Sequence, residues 1–426
     1  MFIRKGLNLT LALKRQYWPI KELRRWQDKN FRKLLNYAYK NVSFYRKLYK
    51  EHGVDIHKIK GVKDANKLPT VDKVMLQNLC NDFRTKKKGK YPQNTYLKNG
   101  VIRRTSGSTG RPLFVHYDKK AWDFSEAIYT RSLLSTGYRS FETMAVSNPF
   151  LTPCKRWFNY FGLFNKRHIS MERPINVQLE LLKRSGANTF YSYPTLLKLL
   201  AQESLPSELS FKRIISTGEL LTEQNRRFIE DSFNTSVFNH YGTMECNRVA
   251  WECRKKEGMH MDIDAHLLEF SKDNEEAAVD ETAEMILTNL HNFAFPLIRY
   301  RQGDFGVKSS HKCSCKRTLP IMKKLHGRAN DFIKSRTLGY LSPIKFDLVF
   351  GKFNGILQYR LVQEKIDRFT VYLIVNDSFH NWSKKEIKEN IKKLLKDPDV
   401  TIEYRFPKKL ERSSGGKLRA IVSRVT

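Results

Sequence analysis

The sequence predicts an α/β protein with a large N-terminal domain of mixed, largely parallel β-sheets flanked by helices, then a small, mobile C-terminal α+β domain. Three observations carry that prediction. Residues 120–310 alternate amphipathic helical patterns with short apolar runs, as βαβ units do. The pattern changes character after Gly327-Arg328. A chain of 426 residues is also too long for one modest core. The resulting division is a domain over residues 1–327 and a small α+β domain over 332–426, with residues 328–331 at the break.

Residues 23–50 place Leu23, Trp26, Phe31, Leu34, Leu35 and Ala38 at helical spacing among many basic residues. This predicts one or two surface helices, interrupted at Asn41-Val42-Ser43-Phe44-Tyr45. Leu68-Pro69-Thr70 reads as a turn, with Thr70 capping a helix over 73–79. Val101-Ile102-Arg103-Arg104 and Leu113-Phe114-Val115-His116-Tyr117 read as strands on either side of a glycine-rich turn. There follow helix 174–185, strand 189–193, helix 194–203, strand 213–216, helix 223–233 and strand 237–240. The tail shows strands at 357–361, 370–375 and 401–406 around a basic helix at 384–395.

Hydrophobic residues at 40% and aromatic residues at 12% suit a packed globular protein and exclude a disordered one. Basic residues number 78 against 43 acidic, a net charge of +35 that attracts polyanions. No RNP, helix-turn-helix or zinc-finger spacing is present, so no specific nucleic acid is expected. The apolar run at 7–13 is too short to span a bilayer, and no small-residue cleavage site follows it. No later segment is apolar enough to span either. The expectation is a cytoplasmic protein, peripheral to the inner membrane face through its basic surface. Six cysteines in so long a chain do not make a disulfide scaffold.

The densest chemical signal is Thr105-Ser106-Gly107-Ser108-Thr109-Gly110, followed by Arg111-Pro112. Its hydroxyl and N–H donors suit phosphate oxygens, and its glycines let backbone approach a ligand closely. It lacks the G-x-x-x-x-G-K-[ST] pattern of an ordinary P-loop. Further along come Tyr241-Gly242-Thr243-Met244-Glu245 at a strand end and Tyr300-Arg301-Gln302-Gly303-Asp304 as a polar turn. Gly327-Arg328-Ala329-Asn330-Asp331 and Ser413-Ser414-Gly415-Gly416-Lys417 complete the series. Separately, Cys253, His260, Cys313 and Cys315 match a Cys₃His tetrahedral zinc set, with His266 and His311 as alternative fourth ligands. Basic Lys312, Lys316 and Arg317 favour thiolates at the Cys313/Cys315 pair. Cys154 and Cys246 read as small buried residues.

In this order and spacing the motifs resemble the core motifs of the adenylate-forming superfamily, most of all its phenylacetate–CoA ligase and CapK-like branch. Asn41-Val42-Ser43-Phe44-Tyr45 and Lys67-Leu68-Pro69-Thr70 echo the same branch, and the resemblance spans residues 20–425. It implies that a small-molecule carboxylate attacks the α-phosphate of ATP, giving an acyl-adenylate and pyrophosphate. The acyl group then passes to coenzyme A, or to an amino or hydroxyl group of an anionic glycan or lipid-linked surface-polysaccharide precursor.

By that resemblance, loop 105–110 holds the β- and γ-phosphates and Glu245 binds Mg²⁺. Asp304 accepts from the ribose hydroxyls, Arg328 contacts ribose or phosphate, and Tyr241 stacks on adenine with Gly242 and Thr243 alongside. Gly218 and Glu219 line the same pocket, with Tyr191, Tyr193, Pro194 and Thr217 near the acyl group. Lys417 stabilises the charge that develops at the carboxylate and α-phosphate. A zinc clamp beside the nucleotide site is similar in some relatives. Two departures stand out: Met244 occupies the place where relatives carry Thr before the metal-binding Glu, and Arg111 replaces a common Lys. The alternative function is a catalytically degenerate ligase fold that binds polyanions or membranes.

Overall fold

The computed structural model describes residues 2–82, 94–97, 100–105, 113–147, 161–171, 173–203, 209–328, 333–341, 343–353, 355–411 and 418–425. Residues 106–112, 329–332 and 412–417, and with them Ser106 to Arg111 and Lys417, lie outside the described residues, as does Cys154. The chain forms two compact units: residues 1–142, 150–165 and 238–325 make one, and 143–149, 166–237 and 326–426 the other.

In the first unit, helix Ile20–Asn41 buries Leu23, Gln27, Phe31, Leu34, Leu35 and Ala38, one stripe at helical period. The helix begins after Pro19, which lacks the N–H a helix interior needs, and ends where Val42 turns extended. Ser43–Glu51 then forms a separate helix. These helices are more than the expected surface layer, because Phe31, Leu34, Tyr45 and Tyr49 are almost fully buried in the unit's main core. Each such side chain contributes roughly 1.5–3 kcal/mol by leaving water.

Helix Lys73–Asp82 forms as expected, but its cap is Asp72, which accepts from Met75 N at 2.8 Å. Thr70 is not the cap, because the neighbouring Val71 is paired with strand backbone: its N donates to Arg299 O and its O accepts from Arg301 N.

Both N-terminal motifs pin one segment. The Tyr45 hydroxyl donates to Pro296 O at 3.0 Å and accepts from Ile298 N at 3.1 Å. Arg299 donates to the carbonyls of Asn66 and Leu68. Thus the chain entering strand Tyr300–Ser309 is held by residues some 230–250 positions earlier. That strand replaces the polar turn expected at 300–304, with Gly303 at φ +81 inside it.

The first unit's strands pair antiparallel. Val237–Thr243 pairs with Asn247–Glu252, which pairs with Met259–Met261; His266–Lys272, Thr282–Asn289 and Tyr300–Ser309 form a run of neighbours. Short hairpins of the Met244-Glu245-Cys246 kind permit only antiparallel pairing, whereas parallel strands need long crossovers. The mixed sheet expected is present, but its parallel share is smaller than the helix–strand alternation implies.

In the second unit, Met144–Ser147, Lys166–Ile169, Thr189–Ser192 and Arg213–Thr217 pair in parallel. Helices Ile175–Arg184, Pro194–Glu203 and Glu223–Phe233 supply connections of the βαβ type. Thr222 caps the last of these by accepting from Asn225 N, and Asn234 ends it in the left-handed conformation. Residues 333–424 have a core of their own, including Phe346, Phe350, Leu361, Phe369, Leu373, Ile387 and Ile391. Their sheet runs Thr401–Arg405, Arg368–Val375, Ile356–Lys365, Ile421–Ser423, against helices Pro343–Phe350 and Asn381–Leu395. The last strand, absent from the sequence reading, pairs parallel with Ile356–Lys365.

Candidate nucleotide site and cysteine–histidine cluster

In the first unit, Tyr241, Glu245, Tyr300 and Asp304 come together from two separated motifs. The Tyr241 hydroxyl donates to Asp304 Oδ2 at 2.8 Å, while Gln302 Nε2 donates to the Tyr241 oxygen. The Tyr300 hydroxyl donates to Glu245 Oε1 at 3.1 Å. The Glu245 carbonyl accepts from the Tyr117 hydroxyl and from Asn289 Nδ2. Glu245 and Asp304 are each buried, so both carboxylates are held in low-dielectric surroundings with fixed partners. Sequence reasoning assigns no role to Tyr117 or Asn289; for Tyr300 the only signal is its place at the head of a motif.

The turn bearing Glu245 is built locally. Strand Val237–Thr243 breaks register at Tyr241/Gly242, where a Cβ on Gly242 would run into the Asn247 carbonyl. The Thr243 hydroxyl accepts from Cys246 N at 2.9 Å. The hydroxyl displaced by one position therefore closes the turn that presents Glu245. Thr105 works similarly: Leu113 N donates to its Oγ1 and Thr105 N donates to Leu113 O, both at 2.9 Å, closing the base of the 106–112 segment.

The second unit holds Gly218, Glu219 and Arg328. Gly218 has φ +82, a conformation that favours glycine. Glu219 accepts from Thr195 N and Thr195 Oγ1 through Oε2, and from Leu418 N at 3.0 Å through Oε1. Leu418 directly follows Lys417 in the chain. Tyr191, Tyr193 and Thr217 are buried at or just beyond the carboxyl ends of parallel strands Thr189–Ser192 and Arg213–Thr217, the edge where α/β sheets bind ligands. Arg328 is exposed at the end of strand Ile321–Arg328.

The ligand atoms of Cys253, His260, Cys313 and Cys315 all lie within 4.8 Å of one another. Cys253 Sγ is 3.7 Å from Cys313 Sγ, and Cys315 Sγ is 3.3 Å from His260 Nε2. A tetrahedral centre with metal–sulfur bonds of about 2.3 Å sets ligand–ligand edges near ~3.8 Å, so the donor set fits zinc. Strand register brings the halves together: Met259 pairs with Glu252 and His260 with Trp251. Glu257 fixes the other half, accepting from Ser314 N, Ser314 Oγ and His311 Nε2.

Burial, aided by Arg317, lowers His260 to about 4, so its imidazole is neutral and able to ligate. The alternative fourth ligands lie elsewhere: His266 Nε2 is bonded to Arg248 O, and His311 Nε2 to Glu257. The expected thiolate preference holds for only one of the pair. Cys315 is lowered because hydrogen bonds and charge from Arg317 outweigh burial, whereas burial raises Cys313 to about 12. Cys246 is separate from the cluster and fully buried.

Beneath the cluster lies a buried ion network. Trp251, tilted over His260 at 4.9 Å between ring centroids, donates to Asp262 Oδ1 at 2.7 Å. Arg131 bonds Asp262 Oδ1 at 2.5 Å and Asp264 Oδ1 at 2.7 Å, and Arg15 reaches Asp264 Oδ2 at 2.9 Å.

The fold, and the pairing of the Tyr241–Glu245 motif with the Tyr300–Asp304 motif, are those expected of an adenylate-forming ligase. Residues 333–424 match the CapK C-terminal domain family. The chain is 26% identical to Protein CapK of Staphylococcus aureus, covering 97% of this chain and 93% of that one. It is 24% identical to the phenylacetate-coenzyme A ligase of Thermus thermophilus, covering 95% and 97%. Its fold matches 2-hydroxyisobutyryl-CoA ligase solved in the postadenylation state with R3-HIB-AMP, at TM-score 0.78, 17% identity and coverage of 96% and 92%. Over nearly its whole length the chain is thus similar to CapK and to phenylacetate-coenzyme A ligases.

Proposed function

We propose that this chain activates a small-molecule carboxylate with ATP, releasing pyrophosphate, and passes the acyl group to an acceptor. The observation that carries the reading is the Tyr241–Asp304 bond beside the Tyr300–Glu245 bond, which joins two separated motifs in one unit. Asp304, oriented by Tyr241 through Oδ2, accepts from a ribose hydroxyl. The Tyr241 ring packs against adenine, and Glu245 holds Mg²⁺, a hard cation suited to a carboxylate oxygen. Mg²⁺ supplies charge neutralisation on the phosphates when bound.

Loop 105–110 cradles the β- and γ-phosphates, with Thr105 anchoring its base. Gly218 and Glu219 line the pocket in the second unit, Arg328 contacts ribose or phosphate, and Lys417 stabilises charge at the carboxylate and α-phosphate. Residues 332–426 act as a lid after a hinge at 328–331. Coenzyme A is the acceptor favoured by the ligases this chain resembles. An amino or hydroxyl group of a surface-polysaccharide precursor is the acceptor that its likeness to CapK suggests. Pyrophosphate release measured across a carboxylate library, with and without coenzyme A, tests both steps. Turnover of no carboxylate would sink the reading, and turnover only without coenzyme A would turn it to the second acceptor.

Cys253, His260, Cys313 and Cys315 hold a structural zinc, with four protein ligands and no open position. The fit rests on the mutual distances of the four donors.

Among the described residues no helix is long and apolar enough to cross a membrane. A peripheral role rests on helix Phe2–Arg15. Its inner face is fixed by Ala12, fully buried, and by the Arg15–Asp264 pair. Its outer face exposes Leu7 and Leu11, and exposed Lys14, Tyr17, Ile20 and Lys21 follow. An apolar stripe beside basic residues suits an anionic lipid surface. Co-sedimentation with phosphatidylglycerol vesicles, lost in Leu7→Asp/Leu11→Asp, is the expected result; equal binding by the variant would exclude this face.

A further inference from the structure

We propose that Arg103 is an additional nucleotide-binding residue, one that contacts the β- or γ-phosphate of ATP; the inference rests on the adenylation reading above. Arg103 lies at the end of strand Gly100–Arg104, two residues before Thr105. Its Nη2 reaches Met244 Sδ at 3.3 Å, which puts the guanidinium beside the turn that presents Glu245. Its central carbon stands 5.8 Å from the Trp122 ring.

What is missing around Arg103 matters as much. Its Nε and Nη1 are buried and have no hydrogen-bond partner among the described residues. Among the described residues no carboxylate forms an ion pair with it. A guanidinium cannot shed its proton, so burial without a counter-charge is costly. A thioether is a weak acceptor and an indole face a weak partner for a full charge. The buried Arg131, Arg15 and Arg299 of this unit, by contrast, pair with carboxylates: Arg131 with Asp262 and Asp264, Arg15 with Asp264, Arg299 with Glu269.

A bound oxyanion would complete the site, since the planar fork of an arginine bonds two phosphate oxygens at once. Position selects which anion. Arg103 adjoins the start of the hydroxyl- and glycine-rich segment and the turn of Glu245, the two elements that would face the terminal phosphates and their Mg²⁺. The residues near the acyl group belong to strands of the other unit.

The test compares ATP, with Mg²⁺, and AMP, each titrated into the full chain by calorimetry, for the unaltered protein, Arg103→Gln and Arg103→Lys. Arg103→Gln is expected to weaken ATP by about tenfold or more while AMP stays within about twofold, because charged hydrogen bonds to the terminal phosphates vanish. Arg103→Lys should recover part of the loss. Unchanged ATP affinity in Arg103→Gln would overturn the assignment, as would equal weakening of ATP and AMP, which marks a merely structural role. If Arg103→Gln does not fold, Arg103→Lys decides alone: weakening confined to ATP supports the contact, and no weakening overturns it. If the unaltered protein binds neither nucleotide, the adenylation reading itself fails; ATP binding with an indifferent Arg103 leaves that reading standing.

Discussion

Tyr241 donates a 2.8 Å hydrogen bond to Asp304 across 63 residues of sequence. The bond fixes the orientation of the phenol. It also orients a buried carboxylate that otherwise would sit in low dielectric with one partner fewer. Tyr241→Phe should therefore weaken ATP binding by about threefold to tenfold, since one hydrogen bond to a charged group is lost. Asp304→Ala should weaken it further. Titration of each variant with ATP checks this, and wild-type affinity in both would dissociate the pair from nucleotide binding.

Lys417→Ala should lower carboxylate-dependent pyrophosphate release by about a hundredfold or more, as expected when a group that stabilises transition-state charge is removed. Circular dichroism and the melting temperature should stay unchanged. Normal turnover would mean that another cation carries the first step.

Purified protein should contain one zinc per chain, measured by mass spectrometry. Cys313→Ser should lose it and melt earlier, because binding energy at a structural site is folding energy. Zinc-free protein with all thiols freely titratable would exclude the assignment. Cys246→Ser is the control, since that thiol stands apart from the cluster.

Arg131→Met should destabilise the fold by about 3–5 kcal/mol, because it leaves Asp262 and Asp264 buried without their shared cation. The same network sets an acid limit. Burial alone would raise Asp264, but Arg131 and Arg15 outweigh it and hold the carboxyl at about 2 rather than 3.8. A depressed value means stability that is full above pH 3.8 and disappears as pH falls through about 2. The part of the stability that Asp264 itself contributes should thus shrink as pH falls below about 3.8, read by denaturant titration of the natural protein and Asp264→Asn at stepped pH.

Much of the architecture was legible because it is local. Helix Ile20–Asn41 announces its buried stripe at period 3.6, and strands such as Arg213–Thr217 announce themselves as short apolar runs between helices. Even so, Gln27 replaced Trp26 in the buried stripe because its Nε2 finds the His266 carbonyl at 2.8 Å, a partner no pattern reveals. Asp72 displaced Thr70 as a cap for a similar reason: the backbone beside Thr70 is taken up by strand pairing.

By itself the sequence determined the order of the motifs, the residue types able to hold phosphate, magnesium or zinc, and the composition break near residue 327. Only tertiary structure decided that His260, and neither His266 nor His311, joins the three thiols, that Thr243 closes a turn, and that two buried nitrogens of Arg103 lack a hydrogen-bond partner among the described residues. The physical reason is range. Helical and strand periodicity are written within a few neighbouring residues, whereas the position of a side chain in a site depends on register between strands 40 to 250 residues apart, which burial and hydrogen-bond satisfaction of the whole core select.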